Sequence, residues 1–180
     1  MFSFFGAPTA LQGFWAATFV LATATGCGGA QQRMGGPFSG DASSATYFIE
    51  GKPVRLVAGR ATTPGEGGDD VTMLTDGRLE GDLNDDGVTD LVAVVAQELA
   101  TGTAAFYIAA LVSDGTTYRA APALPLGEKL IVKGLAFEGP EIKLRLVVRD
   151  EGNADPKPSK LVEKRFTFLR GKLVAIHTDE

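Results

Sequence analysis

The sequence has very few of the residues that most often cross-link a fold or perform catalysis. It contains one cysteine, Cys27, and one histidine, His177, which is followed by only three residues. A single cysteine cannot form an intramolecular disulfide. A Ser-His-Asp triad, a histidine zinc site or a Cys-His pair would each depend on that one histidine near the C-terminus. The composition therefore excludes a disulfide scaffold and gives little support to these classes of enzyme.

Charge is also missing from part of the chain. No Asp, Glu, Lys or Arg occurs before Arg33, although the whole chain has a formal net charge of -5. Residues 69–90 hold eight acids and one base, whereas the C-terminal half is weakly basic. Neither half has a dense basic cluster interleaved with aromatic residues, so nucleic acid is not an expected partner.

The uncharged N-terminal segment has the pattern of an export signal. An apolar stretch at residues 14–22 is followed by small residues and then by Cys27. An apolar core that ends in small residues is typical of a cleaved signal peptide. An uncleaved membrane anchor is the alternative, because the uncharged run is just long enough to cross a bilayer. A buried helix is a third interpretation, but several glycines and a proline interrupt it.

The four residues Ala24-Thr25-Gly26-Cys27 resemble the bacterial lipobox, with Ala24 where that motif usually has leucine. The resemblance implies that residues 1–26 are a lipoprotein signal peptide and that Cys27 is lipidated and becomes the first mature residue. Palmitate is an expected label for such a multi-chain membrane anchor. The implied location is the bacterial cell envelope, facing the periplasm or the exterior.

The rest of the chain divides into a tether, one domain and a short tail. Residues 27–45 are rich in Gly, Ser, Gln and Ala, which predicts a flexible tether after the lipidated cysteine. We expect a β domain at residues 46–177 and a tail at residues 178–180.

Strand-like patterns dominate the predicted domain. Residues 91–96 and 106–112 are continuous apolar runs, typical of strands buried on both faces, whereas residues 142–149 alternate apolar and charged side chains. The glycine-rich residues 65–68 are expected to form a flexible loop, and residues 94–101 leave room for one helical turn. The sequence predicts an all-β fold, a single antiparallel sandwich or partly open barrel of about nine strands.

One motif has the spacing of a calcium loop. Calcium binds six to eight oxygen ligands, and a loop of alternating acidic residues around a glycine supplies them. Gly87 stands at position six, where a sharp turn is needed, and the predicted ligands occupy positions one, three, five, seven and nine: Asp82, Asn84, Asp86, the carbonyl of Val88, and Asp90. Two carboxylates at ~4 Å repel each other by about 4 kcal/mol at an effective dielectric of ~20, and a divalent ion reverses that effect.

This motif resembles the calcium loops of FG-GAP repeats, VCBS repeats and dockerins. It departs from an EF-hand because position twelve is Ala93, which lies in the apolar run, and because a strand follows it. Those families repeat the loop, whereas this chain has one copy, so only the loop chemistry is implied: a structural calcium ion. The mature sequence also resembles uncharacterised bacterial exported proteins. A polar β-turn and a site for Mg²⁺ or another metal remain as alternatives.

The leading hypothesis for function is a non-catalytic, lipid-anchored envelope protein. Its β domain would bind an unknown envelope protein or ligand, with Phe106, Tyr107 and Tyr118 as the candidate exposed patch, or have a purely structural role. The alternative is an envelope hydrolase with a site built from dispersed acids, such as Glu138 and Glu141 or Asp150 and Glu151, which requires a concave pocket and acids of raised pKa.

Overall fold

The computed structural model describes residues 40–149 and 157–176, which form twelve strands in three antiparallel sheets. The first sheet is a hairpin of β1 (Thr46–Ile49) and β2 (Lys52–Arg55). The second contains β3 (Arg60–Gly65), β4 (Gly68–Gly81), β5 (Asp90–Glu98), β6 (Ala104–Ser113), β7 (Tyr118–Ala120) and β8 (Leu124–Glu128). The third contains β9 (Ile131–Glu138), β10 (Glu141–Arg149), β11 (Pro158–Leu169) and β12 (Lys172–Ile176). The predicted all-β fold is therefore confirmed.

The six-stranded sheet is the middle layer of the domain. Its strands lie in the order β3-β4-β5-β6-β7, and β8 also pairs with β6. The four-stranded sheet, in the order β12-β11-β10-β9, packs on one face, and the β1–β2 hairpin packs on the other. Two hydrophobic cores result, one on each side of the middle sheet.

Strand β5 lies at the centre of both cores, as the continuous apolar run predicts. Residues 90–97 are all buried. Because successive side chains point to opposite faces, Leu91 and Val95 join the core under the hairpin, whereas Val92 and Val94 join the core under the four-stranded sheet. An apolar residue is therefore required at every position from 91 to 96.

The four-stranded sheet has one buried and one solvated face, which confirms the alternation in residues 142–149. Ile142, Leu144 and Leu146 are fully buried. On the opposite face, Lys143 and Arg165 make five ion-pair contacts of 2.9–3.4 Å with three glutamates: Glu138, Glu141 and Glu163. Pairs this exposed to solvent contribute little stability.

Three details differ from the sequence predictions. Residues 65–68 end β3 and begin β4 as a tight hairpin, with Gly65 paired to Gly68, where a flexible loop was expected. Strand β5 continues to Glu98, so the expected helical turn at residues 94–101 does not form. Short strands β3, β7 and β8 raise the number of strands from about nine to twelve in the described residues.

The folded body begins within the predicted tether. A 3-10 turn at Ala42–Ser44 is capped by the Asp41 side chain, and Ala42 and Ala45 are buried. The Tyr47 hydroxyl donates a hydrogen bond of 2.9 Å to the carbonyl of Ala42. The predicted signal peptide, Cys27, most of the tether, His177 and the tail at residues 178–180 lie outside the described residues. Across the described ranges, no helix is long and apolar enough to cross a membrane.

Candidate metal centre

The predicted calcium loop connects β4 to β5 at one end of the middle sheet. Strand β4 ends at Gly81 and β5 begins at Asp90, so residues 82–89 form the connection. Two residues of this loop have positive φ angles, Asp85 (60°) and Gly87 (84°). The left-handed backbone at Gly87 agrees with the glycine expected at position six, where the chain must turn sharply.

Asp82 is the acceptor around which the first half of the loop folds. Its Oδ1 accepts hydrogen bonds from the backbone N–H groups of Asn84 (3.3 Å) and Asp86 (3.2 Å). Its Oδ2 accepts one from the N–H of Gly87 at 2.8 Å. Three backbone donors thus converge on one carboxylate, and the chain from residue 84 to residue 87 wraps around it.

Asn84 and Asp86 are exposed and are hydrogen-bonded to each other. The Oδ1 of Asn84 accepts from the N–H of Asp86 at 3.2 Å, and its Nδ2 donates to Asp86 Oδ2 at 2.8 Å. The Oδ1 of Asp86 accepts from the N–H of Val88 at 2.8 Å. The side chains of positions one, three and five are therefore brought together in one hydrogen-bonded cluster. Val88 is half-buried, and its contribution in the structure is this N–H donor.

Asp90 has a different environment from the other predicted ligands, because its side chain is fully buried. Its Oδ2 accepts from the N–H of Leu83 at 2.9 Å, and its Oδ1 accepts from the N–H of Ser113 at the end of β6 at 2.8 Å. Burial raises the pKa of the Asp90 carboxyl, the two N–H donors oppose that shift, and the charges of Asp86 and Asp82 add to it.

The donor set suits a hard cation, because every predicted ligand atom is an oxygen. Asp82 and Asp86 lie close enough to Asp90 for their charges to act on its carboxyl. Yet within residues 40–149 and 157–176, no three side chains of His, Cys, Asp or Glu form a group able to hold a metal ion. The predicted set also uses the amide of Asn84 and a backbone carbonyl, so calcium binding stays a prediction.

Sequence reasoning does not find Ser113, the second partner of Asp90. The two residues are 23 positions apart in the chain. The register of β5 and β6, in which Leu91 pairs with Leu111, brings the start of β5 to the end of β6. An apolar run predicts that β5 and β6 are strands, but it does not specify their register.

The predicted aromatic patch is wrong. Tyr107 is only 4% exposed, and its hydroxyl donates to Glu50 Oε1 at 2.8 Å. Phe106 and Tyr118 are half-buried against the two cores. Because β6 is covered on both faces, its aromatic residues pack into the domain. The exposed large apolar residues are mostly aliphatic: Phe48, Val57, Ile131, Leu161, Leu169 and Val174.

Of the acids considered for a hydrolase, Glu138 and Glu141 lie on the solvated sheet, and Asp150 and Glu151 lie outside the described residues. Glu138 pairs with Lys143 and Arg165, and the hydrogen bond from Lys143 is the main reason that the pKa of Glu138 is lowered. A cleft of about 550 Å³ lies elsewhere, lined by residues 75–78, Phe106 and residues 130–135, and Asp76 is the acid in that lining. Among the acids of the described residues, the one whose pKa is raised is Asp90, which does not line this cleft.

The comparisons with known proteins give no assignment. No protein family model matches the sequence, and no curated protein or solved structure matches it.

Proposed function

We propose that this chain is a non-catalytic, lipid-anchored protein of the bacterial cell envelope. Its β domain is stiffened by one calcium ion in the loop at residues 82–90 and serves for binding a partner or for a structural role. The observation that carries the calcium assignment is the hydrogen-bonded cluster that Asp82, Asn84 and Asp86 form around the turn at Gly87.

Electrostatics supports a cation at this loop. Three carboxylates lie near one another, one of them fully buried, and repel one another when ionised: burial, and after it the charges of Asp86 and Asp82, raise the pKa of the Asp90 carboxyl. Backbone N–H groups offset part of this repulsion. A divalent cation would offset the rest, with Asp82, Asn84, Asp86 and Asp90 as side-chain ligands and Val88 supplying a carbonyl.

The lipid anchor is supported by the sequence around Cys27. The uncharged apolar segment, the small residues and the cysteine follow the order of the lipobox that they resemble. The described body begins at Gly40, 13 positions after Cys27, so the intervening segment spans at most about 45 Å when fully extended. The domain would therefore stay close to the membrane surface.

A binding or structural role is favoured over hydrolysis by the placement of the acids. Glu138 and Glu141 are engaged by Lys143 and Arg165, and the lowered pKa of Glu138 is opposite to what a general acid needs. The cleft at residues 75–78 and 130–135 contributes Asp76 but no second acid, whereas glycoside hydrolysis uses a pair of carboxyl groups.

Radioactive palmitate tests the lipid anchor. Expressed in a bacterial host, the wild-type chain should be labelled and should fractionate with membranes. Cys27→Ser should lose the label, because the thiol is the acylated group. Continued labelling of Cys27→Ser would contradict the assignment, and so would an unlabelled wild-type chain that is nevertheless exported and processed.

A further inference from the structure

Two connections at one end of the middle sheet are joined by a buried carboxylate. Residues 82–89 connect β4 to β5, and residues 114–117 connect β6 to β7. We call them the 82–89 loop and the 114–117 turn. Asp90 binds the N–H of Leu83 with one oxygen and the N–H of Ser113 with the other, at 2.9 and 2.8 Å. Asp90 and Ser113 are 0% and 2% exposed, so water does not compete well for these bonds.

We propose that Asp90 joins the 82–89 loop and the 114–117 turn into one cooperative unit, so that a cation bound in the loop also orders the turn. The calcium part rests on the proposed function of the loop. The coupling itself operates in the metal-free protein as well, because both hydrogen bonds of Asp90 are made by the chain alone. Asp90 is thus a positioning residue in addition to a predicted ligand.

The hydrogen bonds continue from Ser113 into the turn. The Ser113 hydroxyl donates to the carbonyl of Thr117 at 3.2 Å and accepts from the N–H of Gly115 at 3.1 Å. Asp114 Oδ1 accepts from the N–H groups of Thr116 (2.9 Å) and Thr117 (2.6 Å). A displacement of Ser113 therefore changes the geometry of the whole turn.

The position of the Asp90 carboxylate also depends on the 82–89 loop. Leu83 lies between Asp82 and Asn84, so the N–H group that Asp90 holds belongs to the segment that carries the first two predicted ligands. A cation that draws Asp82 and Asp86 together would fix residue 83, and through Asp90 it would fix Ser113. A continuous path of named bonds thus connects the ion to the turn.

Amide hydrogen exchange measured by NMR tests the coupling. The full chain is used in mild detergent, with Cys27→Ser to keep it free of lipid. The loop reporters are the amides of Gly87 and Val88, and the turn reporters are those of Thr116 and Thr117, each of which donates to a side chain within its own connection. Each sample is measured in EDTA and in calcium chloride at about 10 mM, which exceeds the dissociation constant of a weak extracellular calcium loop.

The decisive variant is Asp90→Asn, which keeps the shape of the side chain but replaces one acceptor oxygen with an amide donor. One of the two N–H groups then loses its partner, and we expect exchange to rise by about tenfold at both the loop and the turn reporters in EDTA. The matched control is Asp69→Asn, the same substitution at an exposed position at the opposite end of β4, which should leave exchange at both sets of reporters unchanged.

The outcomes separate the two proposals. If calcium leaves exchange at the loop reporters unchanged in the wild type, the calcium function fails, while the EDTA samples still test the coupling. If calcium slows exchange at the loop reporters and not at the turn reporters, the coupling fails. It also fails if Asp90→Asn accelerates exchange only at its own partners, the amides of Leu83 and Ser113.

A second variant covers the case in which Asp90→Asn does not fold. Ser113→Ala keeps the backbone N–H that binds Asp90 and removes the hydroxyl that reaches Thr117 and Gly115. Calcium should then still slow exchange at the loop reporters and lose its effect on the turn reporters. An undiminished effect on the turn would overturn the proposed path.

Discussion

Replacing Asp82 with asparagine should remove the stabilisation of the domain by calcium. Asp82 stands at position one of the predicted loop, and its carboxylate collects the N–H groups of Asn84, Asp86 and Gly87. The substitution removes one negative charge and turns one acceptor atom into a donor. Both changes weaken a cation site, because ligand charge contributes directly to calcium affinity.

The size of the effect follows from mass action. Loops of this kind in extracellular proteins bind calcium with dissociation constants of about 10⁻⁴–10⁻³ M, so calcium at about 10 mM should raise the free energy of unfolding by about 1.4–2.7 kcal/mol. For a domain of this length, that corresponds to a rise in Tm of about 5–10 °C. If the affinity of Asp82→Asn is ~100-fold lower, the remaining stabilisation falls below about 0.4 kcal/mol.

Differential scanning calorimetry in EDTA and in calcium measures this difference directly. Asp85→Asn is the matched control: it removes the same charge from the same loop, at a position that is not a predicted ligand, and asparagine tolerates the φ of 60° found there. It should keep most of the calcium-dependent rise in Tm. An unchanged wild-type Tm in calcium would refute the site, and an equal loss in both variants would reduce the effect to non-specific charge screening.

Three further predictions concern stability. Thr72 has a fully buried hydroxyl with no hydrogen-bond partner, so Thr72→Val should raise the free energy of unfolding by about 1 kcal/mol in urea titrations. Thr75→Val should lower it, because the Thr75 hydroxyl has two hydrogen-bond partners. Gly81→Ala would push a Cβ into the ring of Phe137 and should cost about 1–3 kcal/mol, with partial rescue by Phe137→Leu in the same titration. Burial, helped by a hydrogen bond to a glutamate, raises the pKa of Tyr107 to about 12 from the ordinary 10.0. The unfolded chain therefore ionises first, and stability should fall as pH rises from 10 to 12. Tyr107→Phe should make that fall smaller in pH-dependent melts and should not abolish it, because burial also raises the pKa of Tyr47.

The sequence predicts best those strands whose hydrophobic pattern is compatible with only one burial environment. The run at residues 91–96 has no polar face, so as a strand it must be covered on both sides, and the β1–β2 hairpin and the four-stranded sheet provide that cover. Strand β3 shows the opposite case. Arg60–Gly65 ends in proline and glycine, which are typical of a loop, and it becomes a strand because β4 pairs with it along its whole length. Such pairing is a tertiary effect that propensity does not contain.

The same limit explains the error with the aromatic residues. Tyr107 faces the β1–β2 hairpin, and the hairpin covers it because residues 41–56 pack across the middle sheet. Nothing in residues 104–113 specifies that a separate segment near the N-terminus will lie over them. Exposure of a side chain on a predicted strand therefore depends on which layers form, and the number of layers cannot be inferred from the strand pattern alone.

In the candidate site, sequence spacing determines the positions of some predicted ligands, and packing of the fold determines the position of another. Spacing two residues apart around a glycine bend is enough to bring Asp82, Asn84 and Asp86 together, because all three belong to one short turn. Asp90 has the right spacing too, yet it begins a buried strand, and both of its oxygens accept hydrogen bonds from the backbone N–H groups of Leu83 and Ser113. Each of those oxygens still has a second lone pair for a cation. A ligand held in this way cannot move independently of β6, and for that reason the fold, more than the motif, determines how far the effect of a bound ion extends.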